Sequence, residues 1–378
     1  MSQRCLPTCN CVRVQGHYSS NWLLGGVTGL SKKNTNIYLQ RLNSFSKKVE
    51  YKYNCISLFS GGGGLDLGAH FAGFKTLLVS DIIPSYTETI KTNLPHVSVY
   101  NDDAMDLTAE KIRGLAKING DVDLIIAGPP CQAFSIMGKR QSLDDPRGRL
   151  TIKYFELVSG LKPKVFLFEN VPGLMTVNHG EDFNNLLEFI ENETNYQLYR
   201  TKLNASDFGI PQERERIFIV GFRPDISCES FSFPTNATGS LHEQLPDKMP
   251  SKFALESVEG LPNQVIRVHT EAVRKRFEAV PQGGRDRGSY SDRLRPDMPS
   301  GTVMIGSSAG GARPFIHPYE PRALTVRETA RLQSFPDWYE FSGSRTEQYR
   351  QVGNAVPPLL AYEILSAIKK VLEGKNVS

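Results

Sequence analysis

The stretch that most restricts the possible folds runs from residue 55 to residue 81. Cys55-Ile56-Ser57-Leu58-Phe59-Ser60 has strand character, four glycines follow at 61–64, and residues 65–74 carry a helical pattern. A second apolar strand, 75–80, ends in Asp81. Strand, glycine turn, helix and strand make the opening unit of a parallel α/β sheet. Glycines let a ligand approach the backbone, and a helix N-terminus offers unpaired N–H groups. A carboxylate about 20 residues past such a turn commonly grips ribose hydroxyls. The turn alone is shared by dinucleotide, flavin and methyl-donor folds, so a nicotinamide oxidoreductase remains an alternative at this point.

The pattern continues through the next hundred residues. Residues 97–100 read as a third strand, followed by Asn101, Asp102 and Asp103. A fourth, 122–127, runs into Gly128-Pro129-Pro130-Cys131-Gln132. Two prolines fix φ and remove two donors, so the turn is stiff. Cys131 stands at its tip, either as a nucleophile or as a small buried hydrophobe. The polar loop 136–150, with Lys139, Arg140 and Arg147, has the length and polarity of a lid. A helix over 151–160 stops before Pro163. Strand 165–168 then ends at Glu169, which emerges at the same sheet edge as Cys131 unless it is an N-cap acid for the next helix. A helix over 183–192 and a strand over 197–203 follow. Arg214 and Arg216 alternate into the strand 217–221 and share one face. Two arginines entering a core need anionic or carbonyl partners.

Past Gly221 the composition shifts. Residues 222–300 are rich in Pro, Ser, Gly and charge and read as a small irregular domain. Within it, residues 264–295 hold eight basic side chains against four acids, which equals the whole formal excess of +4. A localised basic patch suits a phosphate backbone, and a solvated helix face is the plainer alternative. Regular patterning resumes over 301–378, with Thr325 and Glu328 forming a capping box and a closing amphipathic helix over 359–372. Residues 1–52 read as a poorly ordered extension, in which Ile37, Leu39, Leu42 and Phe45 could line a short helix. Cys5, Cys9, Cys11 and His17 lack the usual C-x₂-C spacing, so no metal site is expected. With 39% apolar and 22% charged residues, no span-length apolar run and no signal peptide core, a cytoplasmic protein is expected.

Taken together, Phe-Ser-Gly-x-Gly-Gly at 59–64, Gly-Pro-Pro-Cys-Gln at 128–132, Glu-Asn-Val at 169–171, Gln-x-Arg-x-Arg at 212–216, a variable segment, Arg-x-Leu-Thr-x-Arg-Glu at 322–328 and Gly-Asn-x-Val-Pro-Pro at 353–358 follow one another. This order resembles the DNA (cytosine-5)-methyltransferase family over about residues 54–372. Ser57 stands where many members have Asp. The resemblance implies an α/β fold: a Rossmann-like, S-adenosylmethionine-dependent methyltransferase sheet flanked by helices, over 53–221 and 301–378. Residues 222–300 would be the target-recognition domain. It implies S-adenosyl-L-methionine held by Phe59, Gly61, Gly63, Gly64 and Leu65. Asp81 would meet the ribose and Asp103 the adenine (with Asp102 the other possible register), and Pro129 and Asn354 would lie alongside. Cys131 would be the nucleophile, Glu169 the group at cytosine N3, and Arg216 the contact at O2, with Arg214 in support. Gln132, Ser135, Lys139, Arg140 and Arg147 would meet a flipped-out base and phosphates, and Arg285 and Arg287 would read bases. The expected substrate is double-stranded DNA in a bacterial restriction–modification setting, acted on by a monomer with no obligate protein partner. Two alternatives stand beside it. One is an RNA cytosine-5 methyltransferase, whose Cys-Phe-Thr signature is missing near Glu169. The other is a catalytically silent DNA-binding relative, against which Cys131, Glu169 and Arg216 are intact.

Overall fold

The computed structural model describes residues 36–130, 146–237, 245–304 and 315–374. Five apolar runs form parallel strands: β1 (Tyr53–Leu58), β2 (Phe74–Ser80), β3 (Ser98–Tyr100), β4 (Leu124–Ala127) and β5 (Val165–Asn170). Two further strands, β6 (Gln197–Asn204) and β7 (Glu215–Phe222), complete a single sheet in the order β3-β2-β1-β4-β5-β7-β6. β7 is antiparallel to both of its neighbours. The strand order therefore reverses between β1 and β4, and a crevice forms at their carboxyl ends, where doubly wound sheets bind ligands.

The helices are α1 (Ile37–Ser44), α2 (Gly64–Ala72), α3 (Pro84–Asn93), α4 (Ala109–Ala116), α5 (Pro146–Leu161), α6 (Glu181–Thr194), α7 (Lys252–Leu255), α8 (Glu271–Glu278), α9 (Val326–Leu332), α10 (Arg345–Asn354) and α11 (Pro358–Leu372). They cover both faces of the sheet, except that α8 lies apart in the segment after β7. Adjacent residues of one strand point into opposite cores. Leu124, Ile126, Val165 and Leu167 join residues of α1, α2 and α11 in one core. Ile125, Ala127, Phe166 and Phe168 join residues of α4, α5 and α6 in the other. With both faces covered, the central strands read as unbroken apolar runs and not as alternating ones.

Three boundaries differ from the sequence reading. Residues 36–45, expected to be poorly ordered, are built into the fold, with Tyr38 and Leu42 fully buried. Asn36 caps α1 by accepting from Leu39 N–H, and its Nδ2 donates to Phe253 O at 2.8 Å. The polar loop ends sooner than expected, because α5 starts at Pro146 and proline is suited to a helix's first position. β5 extends two residues past Phe168, so Glu169 lies within the strand and is not a helix cap.

The segment after β7 is irregular but not detached. Cys228, Phe231, Met249, Ala254 and Leu294 share a core with the sheet residues. Val273, Phe277, Val280 and Ile316 form a small cluster beside it. The described residues from Asn36 onward group as one compact unit.

Candidate active site

The crevice at the strand ends is a cavity of about 390 Å³. Its floor begins at the turn between β1 and α2. Phe59 has φ +54°, an uncommon conformation for a bulky side chain and one that concentrates at functional sites. Gly61 also has positive φ, and a Cβ there would meet no atom within 4 Å. The other glycines serve the protein's own packing. A Cβ on Gly62 would lie 2.8 Å from Gln351 Cβ, one on Gly63 2.3 Å from Tyr339 Oη, and one on Gly64 2.2 Å from Val356 O. Phe59, Gly61, Gly64 and Leu65 line the cavity, whereas Gly63 turns away toward Tyr339.

The neighbouring strand ends supply acids. Asp81 follows β2, and its carboxylate accepts from Gly61 N–H at 2.9 Å and Ile83 N–H at 3.0 Å, tying the glycine turn to β2. Burial pushes the Asp81 carboxyl above its ordinary pKa, and the two N–H bonds offset part of that. Asp102 and Asp103 both line the cavity past β3, and Asp103 caps the turn that follows by accepting from Met105 N–H at 2.9 Å. Ile82, Ile83 and Tyr86 add an apolar wall that the sequence reading missed. Ile82 is 64% exposed, which is unusual for its type. Its signal was hidden because an apolar pair after Asp81 looks like the continuing strand. Asn354, Ala355 and Val356 close the far side.

Gly128, Pro129 and Pro130 line the cavity at the end of β4. Opposite them, the Arg216 guanidinium pairs with Glu169, Nε to Oε1 at 3.0 Å, with both side chains largely buried. This pairing depends on strand direction. Because β7 runs antiparallel, its first residues lie beside the last residues of β5, with Asn170 opposite Ile217. Burial raises the Glu169 carboxyl, and Arg216 and then Arg214 pull it back. Burial lowers the Arg216 guanidinium, and Glu169 raises it. A Cβ on Gly128 would sit 2.6 Å from Glu169 Oε2, so a side chain there would push this acid from its place beside Arg216. Asn170 Nδ2 donates to Pro129 O at 3.3 Å and fixes the proline turn to β5.

Arg214, expected in support at the base, is not part of the cavity wall. It is fully buried, and its Nη1 and Nη2 donate to Val303 O at 3.2 Å and Gly353 O at 2.9 Å. Arg285 is exposed and forks onto Asp292 through Nε at 2.6 Å and Nη2 at 2.9 Å. Arg287 is exposed with no ion-pair partner among the described residues. Cys131, Gln132, Ser135, Lys139 and Arg140 lie outside the described residues, as does the side chain of Arg147. Beneath the glycine turn, Asp66 is fully buried, and neither carboxylate oxygen has a hydrogen-bond partner among the described residues. Burial pushes its carboxyl up to about 7. Among the described residues, no group of three His, Cys, Asp or Glu side chains could hold a metal ion, and no helix is long and apolar enough to cross a membrane.

The fold and the cavity define an α/β protein with a nucleotide-type crevice and a buried acid–guanidinium pair at its edge. Comparisons with known proteins give the family. Residues 53–370 match the model for C-5 cytosine-specific DNA methylases. The type II methyltransferase M.XorII of Xanthomonas oryzae pv. oryzae is 34% identical over 367 residues, covering 85% of each chain. M1.HphI of Haemophilus parahaemolyticus, also a type II methyltransferase, is 38% identical over 332 residues, covering 84% of this chain and 86% of its own. A crystal structure assigned as a DNA modification methyltransferase encoded within an E. coli prophage superposes with a TM-score of 0.69 at 31% identity, covering 85% of this chain and all of that one. The chain belongs to the C-5 cytosine-specific DNA methylase family.

Proposed function

We propose that this cytosine-5 DNA methyltransferase of the type II restriction–modification class works by covalent catalysis from Cys131, with S-adenosyl-L-methionine in the crevice described above. The observation that carries the reading is a convergence. The glycine turn with Asp81 and the Glu169–Arg216 pair share one cavity, and its wall includes Pro130, the residue immediately before Cys131.

The lining suits the donor. About 390 Å³ is in the range of small-molecule sites. Gly61 leaves open space at its Cβ position, Phe59 and Ile82 offer apolar surface for a flat ring, and Asp81 with Asp102 and Asp103 offers acceptors for hydroxyl and amino groups. When bound, S-adenosyl-L-methionine supplies an electrophilic methyl group that ends on cytosine C5.

C5 of cytosine is too weakly nucleophilic to take a methyl group unaided. Addition of the Cys131 thiolate to C6 makes C5 enamine-like. The addition places charge on the ring. Glu169, with its carboxyl raised by burial, bonds N3, and Arg216 bonds O2, so both stabilise that charge where it develops. Arg216 also holds Glu169 in one orientation, which makes the acid a preorganised partner. Loss of the C5 proton to a base then releases Cys131. C6 is out of reach in a stacked duplex, so the cytosine flips out at a cost of a few kcal/mol. Lys139, Arg140 and Arg147 would meet phosphates, Gln132 and Ser135 the base and its neighbours, and residues 222–300 would read the site.

The test is Cys131→Ser with labelled donor and duplex DNA. Methyl transfer is expected to vanish while DNA binding persists. Undiminished transfer would overturn the assignment of the nucleophile.

A further inference from the structure

Behind the cavity, two polar bridges cross the interior between the same two places. The first is made of amides. Val303 N–H donates to Gln212 Oε1 at 2.8 Å. Gln212 Nε2 donates to Gln333 Oε1 at 2.8 Å and to Leu332 O at 3.2 Å. Gln333 Nε2 donates in turn to Val352 O at 2.6 Å and Ala355 O at 3.3 Å. Both glutamines are fully buried, and the four side-chain amide hydrogens are all engaged in one sense along the chain. The second bridge is Arg214, which reaches Val303 O and Gly353 O.

The two ends have different surroundings. Val303 marks the place where the inserted segment rejoins the sheet domain. There Ser300 N–H donates to Pro211 O at 3.0 Å, and Thr302 Oγ1 donates to Glu213 O at 2.8 Å. At the other end, Asn354 and Ala355 form a wall of the cavity. Val303 is thus gripped by both of its backbone groups: the glutamine relay ends at Ala355 in the cavity wall, and Arg214 ends at Gly353, the residue before Asn354 of that wall. A shift of that wall must carry Val303 with it or leave a buried N–H or C=O unmade.

We propose that Gln212 and Gln333 are positioning residues that couple occupancy of the donor cavity to the seating of DNA on the inserted segment. The proposal rests on the reading of the cavity and of residues 222–300 given above.

The test uses S-adenosyl-L-homocysteine, which fills a donor site without reacting. Duplex DNA affinity is measured with and without it. In the unaltered enzyme it should change DNA affinity within the usual range of allosteric coupling, about 5- to 150-fold. Gln333→Met keeps the volume and removes the relay, and the ratio should fall toward one while each ligand still binds alone. A merely structural glutamine would lower thermal stability and leave the ratio intact, and that result in a folded variant overturns the proposal. Hydrogen exchange on the unaltered enzyme needs no variant. The Val303 amide, which is not in the cavity wall, should exchange more slowly when S-adenosyl-L-homocysteine is bound, and unchanged exchange overturns the proposal. Failure of S-adenosyl-L-homocysteine to bind the unaltered enzyme would instead overturn the reading of the cavity, and this inference with it.

Discussion

Glu169 and Gly128 are separated by forty residues and share one space. The carboxylate oxygen lies 2.6 Å from the point where a side chain at 128 would begin. The glycine of the proline turn lets the acid opposite it keep its place beside Arg216. The sequence made the glutamate, its arginine partner and the stiff turn visible, because each sits at the end of an apolar run. It could not reveal the contact between them, which depends on β4 and β5 pairing in register. Gly63 and Arg214 mark the same limit. Both stand in motif positions, yet Gly63 serves Tyr339 and Arg214 serves two backbone carbonyls. The buried Asp66 ties stability to pH. Its folded-state carboxyl, at about 7, lies above the ordinary 3.8, so the folded protein holds a proton that the unfolded chain gives up. The stability that this proton supplies is present in acid and is lost as pH rises between those two values. Asp66→Asn should abolish that loss. Urea denaturation of the two proteins at several pH values should show the wild type weakening relative to the variant by up to about 1.4 kcal/mol per pH unit across the window. Parallel curves would show that the acid is ionised throughout.

Helix α1 draws its partners from distant parts of the chain. Its apolar positions are legible at 37, 39, 42 and 45, but a short amphipathic stretch does not name its neighbours. The structure gives it four sets. Asn36 reaches Phe253 O and Glu256, Tyr38 donates to Arg331 O, Arg41 donates to Phe208 O and pairs with Glu363 at 2.9 Å, and Phe45 O accepts from Trp338. Each partner is more than 160 residues away in the chain, beyond any local pattern. The helix also lies before residue 53, where the family match begins. The Arg41–Glu363 pair is almost wholly buried, and removing one member of such a pair typically costs about 3–5 kcal/mol. Arg41→Met should lower unfolding free energy by that order in urea titrations. A loss well under 1 kcal/mol would mean that α1 contributes little to holding α11.

Across the whole molecule, the sheet and crevice were legible because apolar runs and turn glycines follow local rules. The inserted segment was not, because its irregular turns are held by ion pairs and by apolar residues packed on the sheet core, neither of which has a periodic signature. Its basic window shows how composition misleads. Arg276 pairs with Asp286, Arg285 with Asp292 and Arg295 with Asp297, while Arg293 caps the end of α8 by donating to Phe277 O and Val280 O. Charge that looked free in sequence is partly committed to the fold. Salt dependence of DNA binding should reveal this. If Arg287 meets a phosphate, Arg287→Ala should reduce the slope of log affinity against log salt by about 1. Arg285→Ala should reduce it less, since its guanidinium is already held by a carboxylate. Equal slopes in all three proteins would remove Arg287 from the DNA contact. The later part of this segment has one more property. Ser251 N–H donates to Met298 O at 2.8 Å and Lys252 N–H to Pro296 O at 3.1 Å, so residues 251 and 298 leave and re-enter the body side by side. Segments with adjoining ends can be exchanged with the least disturbance to what surrounds them. A chimera cut at those two positions keeps the crevice residues and the seam at Val303, and under the proposal that residues 222–300 read the DNA site it should take on part of another chain's site preference.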